Sequence, residues 1–157
     1  MATFPDPANL PGGKEVKMDG KGRIVVPKPL QDQLGPRFVV GRGQVGCVTL
    51  YSEKAWASLL EIVDAAHPLD PARATLERML VGGARQGELD SAGRLLVPPE
   101  FRSFARLSEK VVLVGLVGTV EIWASDEYES FQRDPMGYEQ PRQDALRISF
   151  EHLRGAK

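Results

Sequence analysis

Apolar and polar positions along the chain follow one pattern that occurs twice. A short extended stretch, Glu15–Met18, leads into the polar turn Asp19–Arg23 and then the apolar run Ile24–Val26, which stops at Pro27. Gly87–Leu89, Asp90–Arg94, Leu95–Val97 and Pro98 repeat that order. Apolar runs bounded by turn residues read as strands, and a proline that cannot donate to a ladder ends each of them. Pro29 and Pro99 then suit the first turn of a short helix. "FVVGRGQVGCVTLY" and "VVLVGLVGTVEIWA" each read as two strands joined by a glycine-bearing turn. A helix follows each pair. Trp56, Leu59, Leu60 and Val63 recur at helical spacing in the first, and Tyr128 and Phe131 precede Pro135 in the second.

The two halves keep a constant offset. It is 71 residues for Gly12/Gly83, Asp19/Asp90, Gly22/Gly93, Arg23/Arg94, Val26/Val97 and Pro27/Pro98. It becomes 72 for Val40/Val112, Gly43/Gly115, Gly46/Gly118, Val48/Val120 and Tyr51/Trp123. One inserted residue accounts for the change, and the constancy establishes an internal duplication. A unit of a few short strands and a small helix buries too little apolar surface to stand alone. Two copies can close each other's sheets. The expected fold class is α+β, mainly β: two fused repeats forming one pseudo-twofold small barrel with short helices, carrying both turns. The first repeat is expected at residues 12–67 and the second at 83–134. A linker helix is expected over 68–82, with Asp70 as its cap, Pro71 at its first position, and Gly82 and Gly83 at its end. Residues 1–11 are proline-rich and are expected to be unordered. In the tail, residues 135–157, Leu146, Phe150 and Leu153 share helical spacing over 142–153, which predicts an amphipathic helix docking on its own domain.

Composition narrows the class. The 157 residues are 42% hydrophobic with a mean hydropathy of -0.23, as in a soluble globular protein. The longest apolar run, residues 111–120, is too short to span a bilayer and holds two glycines. The N-terminal stretch lacks the basic start and apolar core of a signal peptide. A lone cysteine, Cys47, excludes an internal disulfide, and together these features predict a cytoplasmic protein with no membrane partner. Net charge is -1 with a pI near 6.1, so the surface as a whole does not attract nucleic acid. Locally it differs. Residues 14–28 set Lys14, Lys17, Lys21, Arg23 and Lys28 against Glu15 and Asp19, five cations against two acids.

Enzymatic chemistry has no visible carrier. "GRGQVG", residues 41–46, matches the dinucleotide fingerprint by letters, but a strand follows it where the pyrophosphate needs a helix N-terminus. A hairpin turn is the better reading. His67 and His152 lie far apart, and no carboxylate or cysteine accompanies them at metal-ligand spacing. Cys47 stands in a strand pattern beside Val48, the setting of a small buried hydrophobe. No Ser–His–Asp arrangement is present. The sequence therefore predicts a non-enzyme with no cofactor, no metal and no small-molecule substrate.

The doubled Asp-x-x-Gly-Arg turn remains. Asp19 and Asp90 can bond the backbone of their own turns, and Gly22 and Gly93 can take a positive φ. Arg23 and Arg94 stand where turn becomes strand, where a guanidinium can reach a phosphate or grip guanine with two hydrogen bonds. Lys14, Lys17, Lys21 and Lys28 add phosphate-seeking charge to the first copy. The second lacks it: Ala92 replaces Lys21, and residues 83–102 balance three arginines against three acids.

The paired strings "DGKGRIVVP" and "DSAGRLLVPPEFR", the connecting "RMLVGGA", and the joints "VTLYSEKAW" and "VEIWASDEYESF" resemble the MraZ family of bacterial transcriptional regulators, over residues 10 to about 134. The resemblance implies the swapped-hairpin barrel of AbrB- and SpoVT-type DNA-binding domains with both halves in one chain. It implies a ring-like homo-oligomer, associated with the nucleoid, binding short direct repeats of promoter DNA before its own operon in the division and cell-wall gene cluster. By motif match, Asp19 with Arg23 and Asp90 with Arg94 take the family's DNA-contacting positions. The chain departs from the family's usual start: it reads "NLPGGKEVKMD" behind an extra N-terminal segment, and Leu10 stands where a phenylalanine is usual. A protein-interaction or antitoxin-like module on the same barrel, its basic turns meeting an acidic partner, is the alternative.

Overall fold

A computed structural model describes residues 13–43 and 45–138; Gly12, the proline-rich segment 1–11 and the amphipathic stretch 142–153 lie outside them. The first repeat supplies β1 (Gly13–Lys17), β2 (Arg23–Val25), α1 (Lys28–Leu34), β3 (Phe38–Arg42), β4 (Val48–Ser52) and α2 (Glu53–Asp64). Helix α3 (Pro71–Leu76) follows and runs into a π-helical turn, Glu77–Val81. The second repeat supplies β5 (Arg85–Gly87), β6 (Arg94–Leu96), α4 (Pro99–Phe104), β7 (Lys110–Gly115), β8 (Thr119–Ala124) and α5 (Ser125–Arg133).

The first strand of each repeat leaves its own unit. β1 pairs antiparallel with β7 of the second repeat, while β5 pairs with β3 of the first. The hairpins β3–β4 and β7–β8 join through β4 and β8, which gives a six-stranded sheet in the order β1-β7-β8-β4-β3-β5. β2 and β6 pair only with each other, as a two-stranded ribbon. Thr49 opposes Glu121 in the large sheet and Ile24 opposes Leu95 in the ribbon. Each of these is a pair of repeat-equivalent residues, so a pseudo-twofold axis passes beside both.

The main core lies between the large sheet and the ribbon. Ile24, Val26, Leu95 and Val97 pack there with Leu30 and Leu34 of α1, Phe101 of α4, and Val40, Leu50, Leu113 and Ile122 of the sheet. The fold is thus mainly β and barrel-like, with two facing sheets around one core. The opposite face of the large sheet is covered in two patches, which is why β4 is buried on both sides. Tyr51, Leu59, Val63, Leu76 and Leu80 gather under α2, α3 and the π turn. Cys47, Val112 and Trp123 gather with Tyr128 and Phe131 of α5. Strands between two apolar layers need no exposed polar face, and all four residues of "VTLY", Thr49 included, are buried. Ser52 caps α2 by accepting from the Ala55 amide at 3.1 Å. Its equivalent Ala124 offers α5 no side-chain acceptor, and α5 is the shorter helix, at 9 residues against 12.

Candidate nucleic-acid interface

Each Asp-x-x-Gly-Arg turn is a closed hydrogen-bonded unit. Asp19 Oδ1 accepts from the backbone amides of Lys21 and Arg23, both at 2.9 Å, and Oδ2 accepts from Arg23 Nε at 2.7 Å. The Gly22 amide donates to the Asp19 carbonyl at 3.0 Å, and the Asp19 amide to the Arg23 carbonyl at 2.9 Å. The second turn repeats the set: Asp90 Oδ1 accepts from Ala92 and Arg94 at 2.9 Å, and Oδ2 from Arg94 Nε at 2.8 Å. Gly22 and Gly93 sit at φ 86° and 75°, where a side chain is strained. The Arg23 amide above all holds the Asp19 carboxyl down to about 2; desolvation, the next largest influence, opposes it, and the Arg23 guanidinium and the Lys21 amide reinforce it. The Asp90 carboxyl is lowered for the same reasons, with the Arg94 amide foremost.

Nε of each arginine is therefore engaged with its own turn, and the two Nη groups form the free end of the guanidinium. That end can grip a planar acceptor pair such as guanine O6 and N7, or two phosphate oxygens. The aspartates spend their acceptors inside the turn, which makes them positioning groups.

The structure brings the two arginines together. In the β2–β6 ribbon Arg23 lies opposite Leu96 and Val25 opposite Arg94. Ile24 and Leu95 point into the core at 0% and 2% exposure. By strand alternation the other four side chains share the outer face. It carries Arg23 and Arg94 on one diagonal, and Val25 and Leu96, 53% and 56% exposed, on the other. A cleft of about 350 Å³ beside the ribbon is lined by Arg23, Arg94, Asp90 and Leu96 together.

The lysines are dispersed. Lys21 lies in the first turn and Lys17 ends β1 just before it. Lys14, five residues before Asp19, stands back along β1 by roughly 16 Å. Lys28, which the sequence groups with Arg23, begins the helix that serves the other turn: the Val26 amide donates to the Gly93 carbonyl at 3.0 Å, and a Cβ on Gly93 would lie 2.6 Å from Gln31 Nε2 of α1. Lys28 is also paired with Asp32 at 3.1 Å.

The equivalent contact on the first turn is made by Arg102 of α4, whose guanidinium carbon lies 2.7 Å from where a Gly22 Cβ would stand. Arg102 Nε is buried with no hydrogen-bond partner among the described residues. Sequence reasoning missed this pair, although the 71-residue offset equates Gln31 with Arg102 and shows an uncharged residue exchanged for a cation. It also missed Val25 and Leu96, whose outward direction follows from the inward direction of Ile24 and Leu95. No group of three or more His, Cys, Asp or Glu among the described residues is placed to hold a metal ion. Burial pushes the Cys47 thiol well up, and Glu121 Oε2 at 3.4 Å accepts from it. No described helix is long and apolar enough to cross a membrane.

Two interlocked repeats, each lending its first strand to the other and together presenting a ribbon with twin aspartate-held arginines, define the class as a double swapped-hairpin domain. The profile of the family described as "MraZ protein, putative antitoxin-like" matches residues 10–78 and 80–148, so the chain belongs to the MraZ family. It is 37% identical over 119 residues to the transcriptional regulator MraZ of Lachnoclostridium phytofermentans, covering 76% of this chain and 84% of that one. It is 36% identical over 121 residues to the same-named protein of Lactobacillus delbrueckii subsp. bulgaricus (76% and 84%). It is 34% identical over 121 residues to that of Nitrosospira multiformis (74% and 82%).

Proposed function

We propose that this protein is a sequence-specific DNA-binding transcriptional regulator that lays the outer face of the β2–β6 ribbon in the major groove. The observation that carries this reading is the diagonal pair Arg23 and Arg94, each held through Nε with its Nη end free, on an antiparallel ribbon of groove-filling width. Arg23 is the first base-contacting residue and Arg94 the second. Lys17 and Lys21 serve the phosphates beside the first turn, with Lys14 and Lys28 further along the strand and on α1. Asp19 and Asp90 act by orienting the arginines. The names of the relatives above support regulation of transcription as the role.

We further propose that several protomers, assembled as a ring, engage short direct repeats before the chain's own operon, among the division and cell-wall genes. Oligomerisation supplies through effective concentration what a net charge of -1 does not. The test is a mobility shift of the fragment immediately upstream of the gene against unrelated competitor, over a salt series. Preference for the fragment, with affinity falling as salt rises, supports the reading. Equal affinity for both DNAs, or retention of an acidic protein in place of DNA, overturns it.

A further inference from the structure

The ribbon's outer face is half apolar. Val25 and Leu96 are more than half exposed, although each lies in a strand beside a nearly sealed residue. They occupy one diagonal of a four-residue patch whose other diagonal is Arg23 and Arg94. A surface built only for phosphate would place polar or cationic groups there. An exposed valine and leucine between two guanidiniums match a surface that is anionic at its margins and apolar at points within. The floor of the major groove is such a surface, because each thymine projects its C5 methyl group into it.

We propose that Val25 and Leu96 are specificity-determining residues that contact thymine methyl groups. This rests on the DNA-reading role proposed above and extends it from guanine to thymine. The spacing is compatible. Arg23 and Val25 are two residues apart on one strand, about 7 Å, close to the rise of two base pairs at roughly 3.4 Å each. Arg94 and Leu96 repeat that distance in the opposite direction. Each arginine therefore has an apolar companion about two base pairs away, and the preferred site holds thymines within two or three base pairs of the contacted guanines. The two companions differ in size, valine against leucine, so the two ends of the patch are not interchangeable.

The experiment replaces thymine by deoxyuridine, which removes the methyl group and keeps the base pair. Wild-type protein is titrated against the upstream fragment with thymine, against the fragment fully substituted with deoxyuridine, and against fragments substituted at one thymine at a time. Loss of about three- to fivefold per contacted thymine is expected, the effect of one buried methyl group. It should be confined to a few positions near guanines. The Val25→Ala, Leu96→Ala double variant, checked for folding by circular dichroism, should bind thymine and deoxyuridine fragments alike. Wild-type binding that prefers the fragment but ignores the substitution overturns the methyl contact and leaves the DNA reading standing. Equal sensitivity in wild type and double variant overturns it too, since DNA shape would then be the cause. Should the double variant not fold, the single-position series on wild type alone decides. Absence of any preference for the thymine fragment over competitor overturns the DNA reading itself.

Discussion

Val97 donates its backbone N–H to the carbonyl of Gly22 at 2.9 Å, so the strand leaving the second turn is tied to the first turn. Val26 and Gly93 make the reciprocal bond. With β1 on β7, β5 on β3 and β2 on β6, each repeat keeps its own hairpin but pairs its first two strands only with the other repeat. A fragment of one repeat should therefore not fold as a monomer. Expressed alone, residues 1–78 should be either unfolded or a twofold dimer, with ellipticity that rises with protein concentration. A folded monomer by light scattering would contradict the interlocked arrangement.

Glycine is required in these turns by conformation, and the Arg102 and Gln31 side-chain ends packed against them would have to move aside for a Cβ. Gly22 is at φ 86° with the Arg102 guanidinium against it, whereas Gly20, two residues away, has nothing within 4 Å of where a Cβ would stand. Gly22→Ala should destabilise the protein by about 1–2 kcal/mol from the left-handed backbone alone, a fall of several degrees in Tm for a chain of this size. Gly20→Ala should be nearly neutral. Thermal melts of the two variants make the comparison, and equal melting temperatures would show that the turn tolerates rearrangement.

Asp19 gives a pH signature. Folding lowers its carboxyl from about 3.8 to about 2, so the folded state binds fewer protons than the unfolded one between those values. The stabilisation is complete above the ordinary carboxylate range and is lost as pH falls through about 2. Between pH 8 and pH 5 the orientation of Arg23 should not change. Carboxyl chemical shifts followed by NMR should show Asp19 titrating near 2 and Asp90 also below its ordinary value. Asp19→Asn keeps an oxygen for the backbone amides but faces Arg23 Nε–H with a second donor. At neutral pH it should lower the melting temperature, since the charge that stabilises the turn is gone, and weaken DNA binding; the stability gap to wild type should close as pH falls through about 2.

Much of this was legible in the sequence, because the legible parts are local. Aspartate, glycine and arginine within five residues specify the turn, and the 71-residue offset reveals the second copy. The hairpins follow from apolar runs around glycine. The crossing of β1 to β7 is not local: Val16 meets Val111, and no spacing within the first repeat reveals that partner. The grouping of Lys28 with Arg23 shows the cost of reading by proximity. Five residues separate them in sequence, yet β2 carries the chain from one turn to the other, and Lys28 begins the helix packed on Gly93. Arg102, far away in sequence, lies against Gly22 instead.

That exchange sharpens the contrast between the turns. The first has Lys17, Lys21 and Arg102 around Arg23; the second has Ala92 and Gln31 near Arg94, with Lys28 already paired to Asp32. Arg23→Ala should weaken promoter binding by about 1–3 kcal/mol, the worth of one bidentate base contact, and Arg94→Ala by less. Lys21→Ala should reduce affinity for all sequences alike and flatten the salt dependence. Equal losses for the two arginine variants, measured by fluorescence anisotropy on one fragment, would refute the asymmetry.

The shape of the operator follows from the same contrast. One protomer carries a nearly twofold head, since Ile24 and Leu95 pair on the pseudo-symmetry axis. A perfect twofold head would read a site equally well in either sense. This head is imperfect, with Lys21 against Ala92, Arg102 against Gln31 and Val25 against Leu96. In the ring proposed above, protomers related by rotation would meet the DNA in a common sense, and the favoured operator should then be a set of direct repeats spaced near one helical turn, about 10 bp. Bending 20–30 bp to follow the ring costs on the order of 1–6 kcal/mol, which added phosphate contacts can offset. In a two-repeat fragment, inverting one repeat at constant spacing should lower affinity to a value between the direct pair and a single repeat, because Arg94 then stands where Arg23 should and still makes part of the contact. Inserting half a helical turn should reduce affinity fully to that of a single repeat, because the second head then faces the wrong side of the duplex. If the inverted fragment binds as tightly as the direct one, the differences between the turns carry no polarity, and the operator is read by a twofold head.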